Sequence, residues 1–82
     1  MKERKLSTLI VGESAMTVRI EGEGPLRRRM LDMGITKGCT ICVKNFAPLG
    51  DPMEIELRGY HLTIRKKDAE MIYVSAAPED EQ

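Results

Sequence analysis

From Met53 to Arg58 the chain reads Met-Glu-Ile-Glu-Leu-Arg, apolar and charged residues in strict alternation. A two-residue period puts successive side chains on opposite faces of an extended strand, so Met53, Ile55 and Leu57 face a core while Glu54, Glu56 and Arg58 face water. The same period returns at Cys39 to Asn45, with Cys39, Ile41 and Val43 on one side and Thr40, Cys42 and Lys44 on the other. It also runs through Ser14 to Ile20, where Met16, Val18 and Ile20 share the apolar parity. Gly59-Tyr60 reads as a two-residue hairpin turn with Gly at its first central position. The return strand then carries Leu62 and Ile64 inward, and Ile72 to Val74 forms a last short strand. Phe46 to Pro52 (FAPLGDP) is dense in turn formers and reads as a loop.

One segment breaks this period. Pro25 suits the first position of a helix, where its missing N–H costs nothing, and Gly34 followed by Ile35 supplies a Schellman ending. The spacing predicts a helix from Pro25 to about Met33. On a helical wheel Leu26, Met30, Met33 and Leu31 cover an arc of roughly 160°, with Arg28, Arg29 and Asp32 opposite. Arg27 falls within that arc, its stem at the border and its head in water. Lys66 to Met71 reads as about one further helical turn opened by Asp68.

The whole chain is 82 residues long. Five short strands, tight turns and one early helix in so short a chain predict a mainly β fold: a small antiparallel β-barrel, SH3-like in preference to OB-like, with a helical turn before the last strand. Closing the sheet removes exposed strand edges. The domain is expected over residues 1–74. Residues 75–82, small, Pro-containing and acidic, are expected to be a disordered tail.

Charge and composition exclude several functions. Thirteen Lys and Arg balance 13 Asp and Glu, so the excess cation needed to replace counterions on phosphate is missing and nucleic acid is not expected as a partner. No apolar run approaches the ~20 residues of a membrane span, and Leu9-Ile10-Val11 is too brief for a signal peptide. The expectation is a cytoplasmic protein without membrane insertion. Phosphate-loop and dinucleotide motifs are lacking, and no nucleophile has an identifiable base, so no catalytic residue, cofactor or enzymatic activity is expected.

Cys39-Thr-Ile-Cys42 has the C-x-x-C spacing of redox and zinc motifs. Residues i and i+3 of a strand point to opposite faces, so the expectation is a buried Cys39 and an exposed Cys42 thiol. His61, the single histidine, is expected on the outer face near Glu54 and Glu56, as part of a cross-strand charge pair rather than a metal site. Two basic runs remain, Arg27-Arg28-Arg29 and Arg65-Lys66-Lys67. They read either as solvated faces, with an Arg28–Asp32 pair, or as contacts for an acidic surface or anionic headgroups.

Three segments in order, RRRMLDMGITKG (residues 27–38), APLGDPMEIELRG (47–59) and LTIRKKDAEMI (62–72), closely resemble the FeoA family of small proteins associated with bacterial ferrous iron uptake. The likeness spans Leu6 to Val74. It implies an SH3-like barrel acting as a non-enzymatic accessory that binds the cytoplasmic, GTP-binding part of a FeoB-type membrane permease. Two further roles attach to the resemblance: regulation of that partner's GTPase, or a stand-alone version of the barrel found at the end of iron-dependent repressors. On wheel geometry, the partner-binding candidates are Leu26, Arg27 and Leu31 at the border of the arc, with Arg28 and Arg29 for charge. No metal ligand is assigned, because one histidine cannot assemble a ferrous site. Weak self-association is left open.

Overall fold

The computed structural model describes residues 3–76. In chain order the elements are β1 (Arg4–Lys5), a 3₁₀ turn (Leu6–Thr8), β2 (Ser14–Ile20), α1 (Pro25–Asp32), β3 (Thr40–Phe46), β4 (Met53–Leu57), β5 (Tyr60–Ile64), α2 (Lys66–Ala69) and β6 (Ile72–Ala76). Six strands form one sheet in the order β1-β6-β2-β3-β4-β5, and every pairing is antiparallel. The fold is mainly β with two short helices, as the alternation implies. The strand beyond the expected five is β1, whose two exposed residues carry no alternation to read.

The alternating segments behave as their period requires where no bulge intervenes. Met53, Ile55 and Leu57 are buried, as are Cys39, Ile41, Val43 and Ile64, while Leu62 packs against the core from its edge. Two corrections arise from bulges. In β2 the parity is reversed from expectation: Ala15 and Thr17 are buried, and Met16 and Val18 are only partly covered. Against β6 the register passes from Thr17↔Val74 to Arg19↔Tyr73, so Val18 is an extra residue and Ile20 returns to the core side opposite Ile72. The buried Thr17 hydroxyl has the Cys39 sulfur as its partner at 3.5 Å, while its backbone N–H donates to the Cys39 carbonyl at 2.8 Å and its carbonyl accepts the Gly38 N–H at 2.7 Å. A second shift, between Val43 and Asn45, makes Lys44 the extra residue of β3 and brings Phe46 opposite Met53.

The β4–β5 turn also differs from the expected Gly59-Tyr60. Leu57 pairs with Tyr60, which leaves Arg58 and Gly59 as the central residues, with φ of 52° and 83°. Two positive φ values mark a type I′ turn, whose twist matches the hairpin. Arg58, at a position that favours Asn or Gly, is steadied by donating from its guanidinium to the Thr36 hydroxyl at 3.2 Å.

The core extends to a segment that lacks any strand pattern. Leu6 and Leu9, in and after the 3₁₀ turn, are 0% and 2% exposed. Among the described residues no ladder joins β5 to β1. The 3₁₀ turn lies beside both α2 and β6, so helical elements rather than strand pairing cover the open seam of the barrel. At the C-terminal end β6 includes Ser75, which is buried, and Ala76; the rest of the expected acidic tail, residues 77–82, lies outside the described residues.

Candidate docking face

Helix α1 begins at Pro25 and ends as its sequence demands. The Gly34 N–H bonds to the Leu31 carbonyl at 3.0 Å and the Ile35 N–H reaches back to the Met30 carbonyl at 3.1 Å. Those are the two bonds of a Schellman motif, and they require the left-handed φ of 95° at Gly34. Met30 and Ile35 are both sealed in the core, so the helix is pinned along one stripe and offers its other faces outward.

The five candidate residues on α1 do not form one patch. Leu26 is half-buried and packs against the core. Arg27 is tied down, its guanidinium donating to the Ile20 carbonyl at 2.7 Å. Leu31, 41% exposed, borders a depression of about 260 Å³ shared with Arg27, Val18 and Lys37 on the β2 side. Arg28 is exposed and holds no carboxylate among the described residues; the expected Arg28–Asp32 pair is not formed. Arg29 points the other way, donating to Oδ2 of Asp68 at 3.0 Å.

That Arg29–Asp68 contact organises the face. Asp68 is 6% exposed, an expensive place for a carboxylate without a cation, and it locks α2 against α1. The N-terminus of α2 is held in turn by Asp51, whose carboxylate accepts the Lys66 N–H at 2.9 Å. Between the helices lies a groove of about 600 Å³, with Leu26, Pro25 and Met71 as its apolar lining and Arg29, Arg65 and Lys67 as its cations. The two basic runs, separate in the sequence, therefore meet here. Periodicity cannot announce such a meeting, because it depends on a contact between residues 39 positions apart.

Elsewhere the polar chemistry is ordinary. Cys39 is buried, with Thr17 Oγ1 at 3.5 Å from its sulfur. Cys42, expected to be exposed, is half-buried beside its neighbour Glu56 on the outer face of the sheet. Both thiols are free. His61 Nε2 lies 3.7 Å from Glu56 Oε2, and Lys44 Nζ lies 3.3 Å from the other carboxylate oxygen. Among the described residues no group of three or more His, Cys, Asp and Glu side chains is placed to hold a metal ion. Glu13 accepts the Ile10 N–H at 3.0 Å and pairs with Arg4 at 2.6 Å. First that backbone donor and then the guanidinium hold its carboxyl below the ordinary 4.5.

A six-stranded antiparallel sheet curled around one core, with two short helices and a basic face between them, makes this an SH3-like barrel. The chain belongs to the FeoA family: the model of the FeoA domain matches residues 4–76. A relative in Porphyromonas gingivalis, described as an Fe(2+) transport protein A/Fe(2+) transporter FeoB fusion protein, is 43% identical over 70 residues; the match covers 85% of this chain and 8% of that protein. The FeoA-like protein of Clostridium acetobutylicum is 34% identical with a TM-score of 0.88, covering 100% of this chain and 95% of that one. Stenotrophomonas maltophilia FeoA, a zinc complex described as an SH3 domain protein, shares the fold at 22% identity with a TM-score of 0.75, covering 85% of this chain and 87% of that one. The same fold recurs within manganese-dependent transcriptional repressors at 17% and 18% identity. No helix among the described residues is long and apolar enough to cross a membrane.

Proposed function

We propose that this chain is a non-enzymatic accessory of bacterial ferrous iron uptake that acts by docking on the cytoplasmic part of a FeoB-type permease. The observation that carries this reading is the fusion relative, in which a segment 43% identical to this chain shares one polypeptide with the transporter. A covalent link of that kind raises the effective concentration of two modules that must meet. Residues of α1 supply the contact: exposed Leu31 and Arg28 on its outer side, half-buried Leu26 and exposed Arg29 toward α2, with Arg27 holding the helix to β2.

Capture of the permease's cytoplasmic part by the immobilised chain tests the proposal. Capture should weaken in Leu31→Glu or in Arg28→Glu while the circular dichroism stays native. No capture by the wild type overturns the proposal. A second role on the same surface, regulation of the partner's GTP hydrolysis, is favoured by one observation: Arg28 is an exposed cation with no carboxylate partner among the described residues. It sits on a helix rather than a loop, which is poor placement for an arginine finger. Nucleotide turnover by the permease domain with and without this chain separates docking from rate regulation.

A further inference from the structure

The cations of this molecule are not distributed alike. Away from the helices Arg4 is paired with Glu13, Arg19 with Glu3 and Glu21, and Lys44 with Glu56. Lys5, Lys37 and Arg58 hold no carboxylate among the described residues but lie singly on β1 and in turns, whereas around α1 and α2 four such exposed cations, Arg28, Arg65, Lys66 and Lys67, come together. Cations gathered on one face repel one another and focus an anion-attracting potential. Among the described residues, the buried carboxylate there, Asp68, is already neutralised by Arg29, and of the acidic groups lining the groove only Glu70 opposes an anion.

The groove between these cations is apolar at its centre. Leu26 is half-buried and Met71 is 38% exposed, and both line the same concavity of about 600 Å³. That volume takes several side chains, and an unbranched thioether adapts to varied apolar shapes. A planar membrane surface presents its charges without entering a concave groove. A polypeptide segment can place carboxylates on the rim and an apolar side chain on the floor.

We propose that the α1–α2 groove docks an acidic amphipathic segment of a partner protein, its carboxylates on Arg65 and Lys67 and one apolar side chain between Leu26 and Met71. This deepens the docking function proposed above, on which it rests for the partner's identity alone. It extends the contact from α1 to residues of the second basic run.

The test uses the full chain, ¹⁵N-labelled, with a fluorescein-labelled amphipathic peptide of Glu and Leu, the corresponding Lys and Leu peptide, and phosphatidylserine vesicles. The Glu/Leu peptide should shift the amide signals of residues 26–29 and 65–71, and its affinity should fall by about tenfold or more in the double variant Arg65→Glu/Lys67→Glu. High salt should weaken it similarly, and Tyr60→Ala, at an exposed position outside the groove lining, should leave it unchanged. Equal binding of the Lys/Leu peptide, absence of groove shifts, or capture by vesicles in place of the peptide overturns the inference. So do groove shifts produced by reversing the charges of Glu79, Asp80 and Glu81, which would make the chain's own acidic segment the occupant. Capture of the permease fragment that survives Arg65→Glu/Lys67→Glu overturns the groove and leaves the proposed function standing. Failure of the wild type to capture that fragment overturns the function, and the peptide then judges the groove alone.

Discussion

Gly34→Ala isolates the backbone requirement that ends α1. At φ 95° an L-residue carries a steric cost of roughly 1–2 kcal/mol that glycine avoids. The added methyl meets nothing worse than Leu57 Cδ1 at 3.8 Å, an ordinary van der Waals contact, so packing adds no further penalty. Alanine also lowers the entropy of the unfolded chain, which offsets about 0.4–1 kcal/mol of that cost. The net loss is therefore about 1 kcal/mol, a fall in Tm of about 4–8 °C for a domain of this size. Urea unfolding followed by far-ultraviolet circular dichroism, with an unchanged slope, measures it. Gly34→Asn should lose less than Gly34→Ala, because Asn tolerates left-handed backbone better. An alanine variant as stable as the wild type would refute the Schellman ending. A loss above about 3 kcal/mol would refute the open space around the new methyl.

Three further outcomes follow from the geometry. Arg29→Ala leaves the Asp68 carboxylate buried without its cation and should cost about 1–2 kcal/mol, discounted because the guanidinium is mostly exposed; a double-mutant cycle with Asp68→Ala should show coupling between them, and additivity would refute the link between α1 and α2. Because the folded state holds Glu13 below 4.5, the stability this group adds is complete above that pH and is lost as pH falls through its lowered folded value. The gap in urea midpoint between wild type and Glu13→Gln should therefore be full at neutral pH and close in acid, and a gap independent of pH would contradict this. An aromatic disulfide reagent should modify Cys42 in the native protein and Cys39, 6% exposed, only on unfolding; Cys42→Ser should abolish the native reaction.

What could be read without coordinates was whatever depends on near neighbours. The strand Met53 to Leu57 and the inward faces of Cys39, Ile41 and Val43 follow from period alone, and the observed burial agrees. The end of α1 at Gly34-Ile35 follows from the chemistry of one residue, and both Schellman bonds are present. The β2 parity failed because a bulge at Val18 changes register without changing composition, and the partner of the buried Thr17 hydroxyl is the Cys39 sulfur, 22 positions away. Leu6 and Leu9 were missed because a 3₁₀ turn between two apolar residues has neither helical nor strand periodicity.

The candidate site divides along the same line. The amphipathic face of α1 and the existence of two basic runs belong to the linear chain. Tertiary structure alone decides that Arg27 is spent on the Ile20 carbonyl, that Leu31 and Leu26 open onto different depressions, and that Arg65 and Lys67 stand beside Arg29. Local residue order determines which way a side chain points on its own helix or strand. It cannot determine which distant side chain shares that space, since this is settled only when burial of one common core brings Asp68 under Arg29.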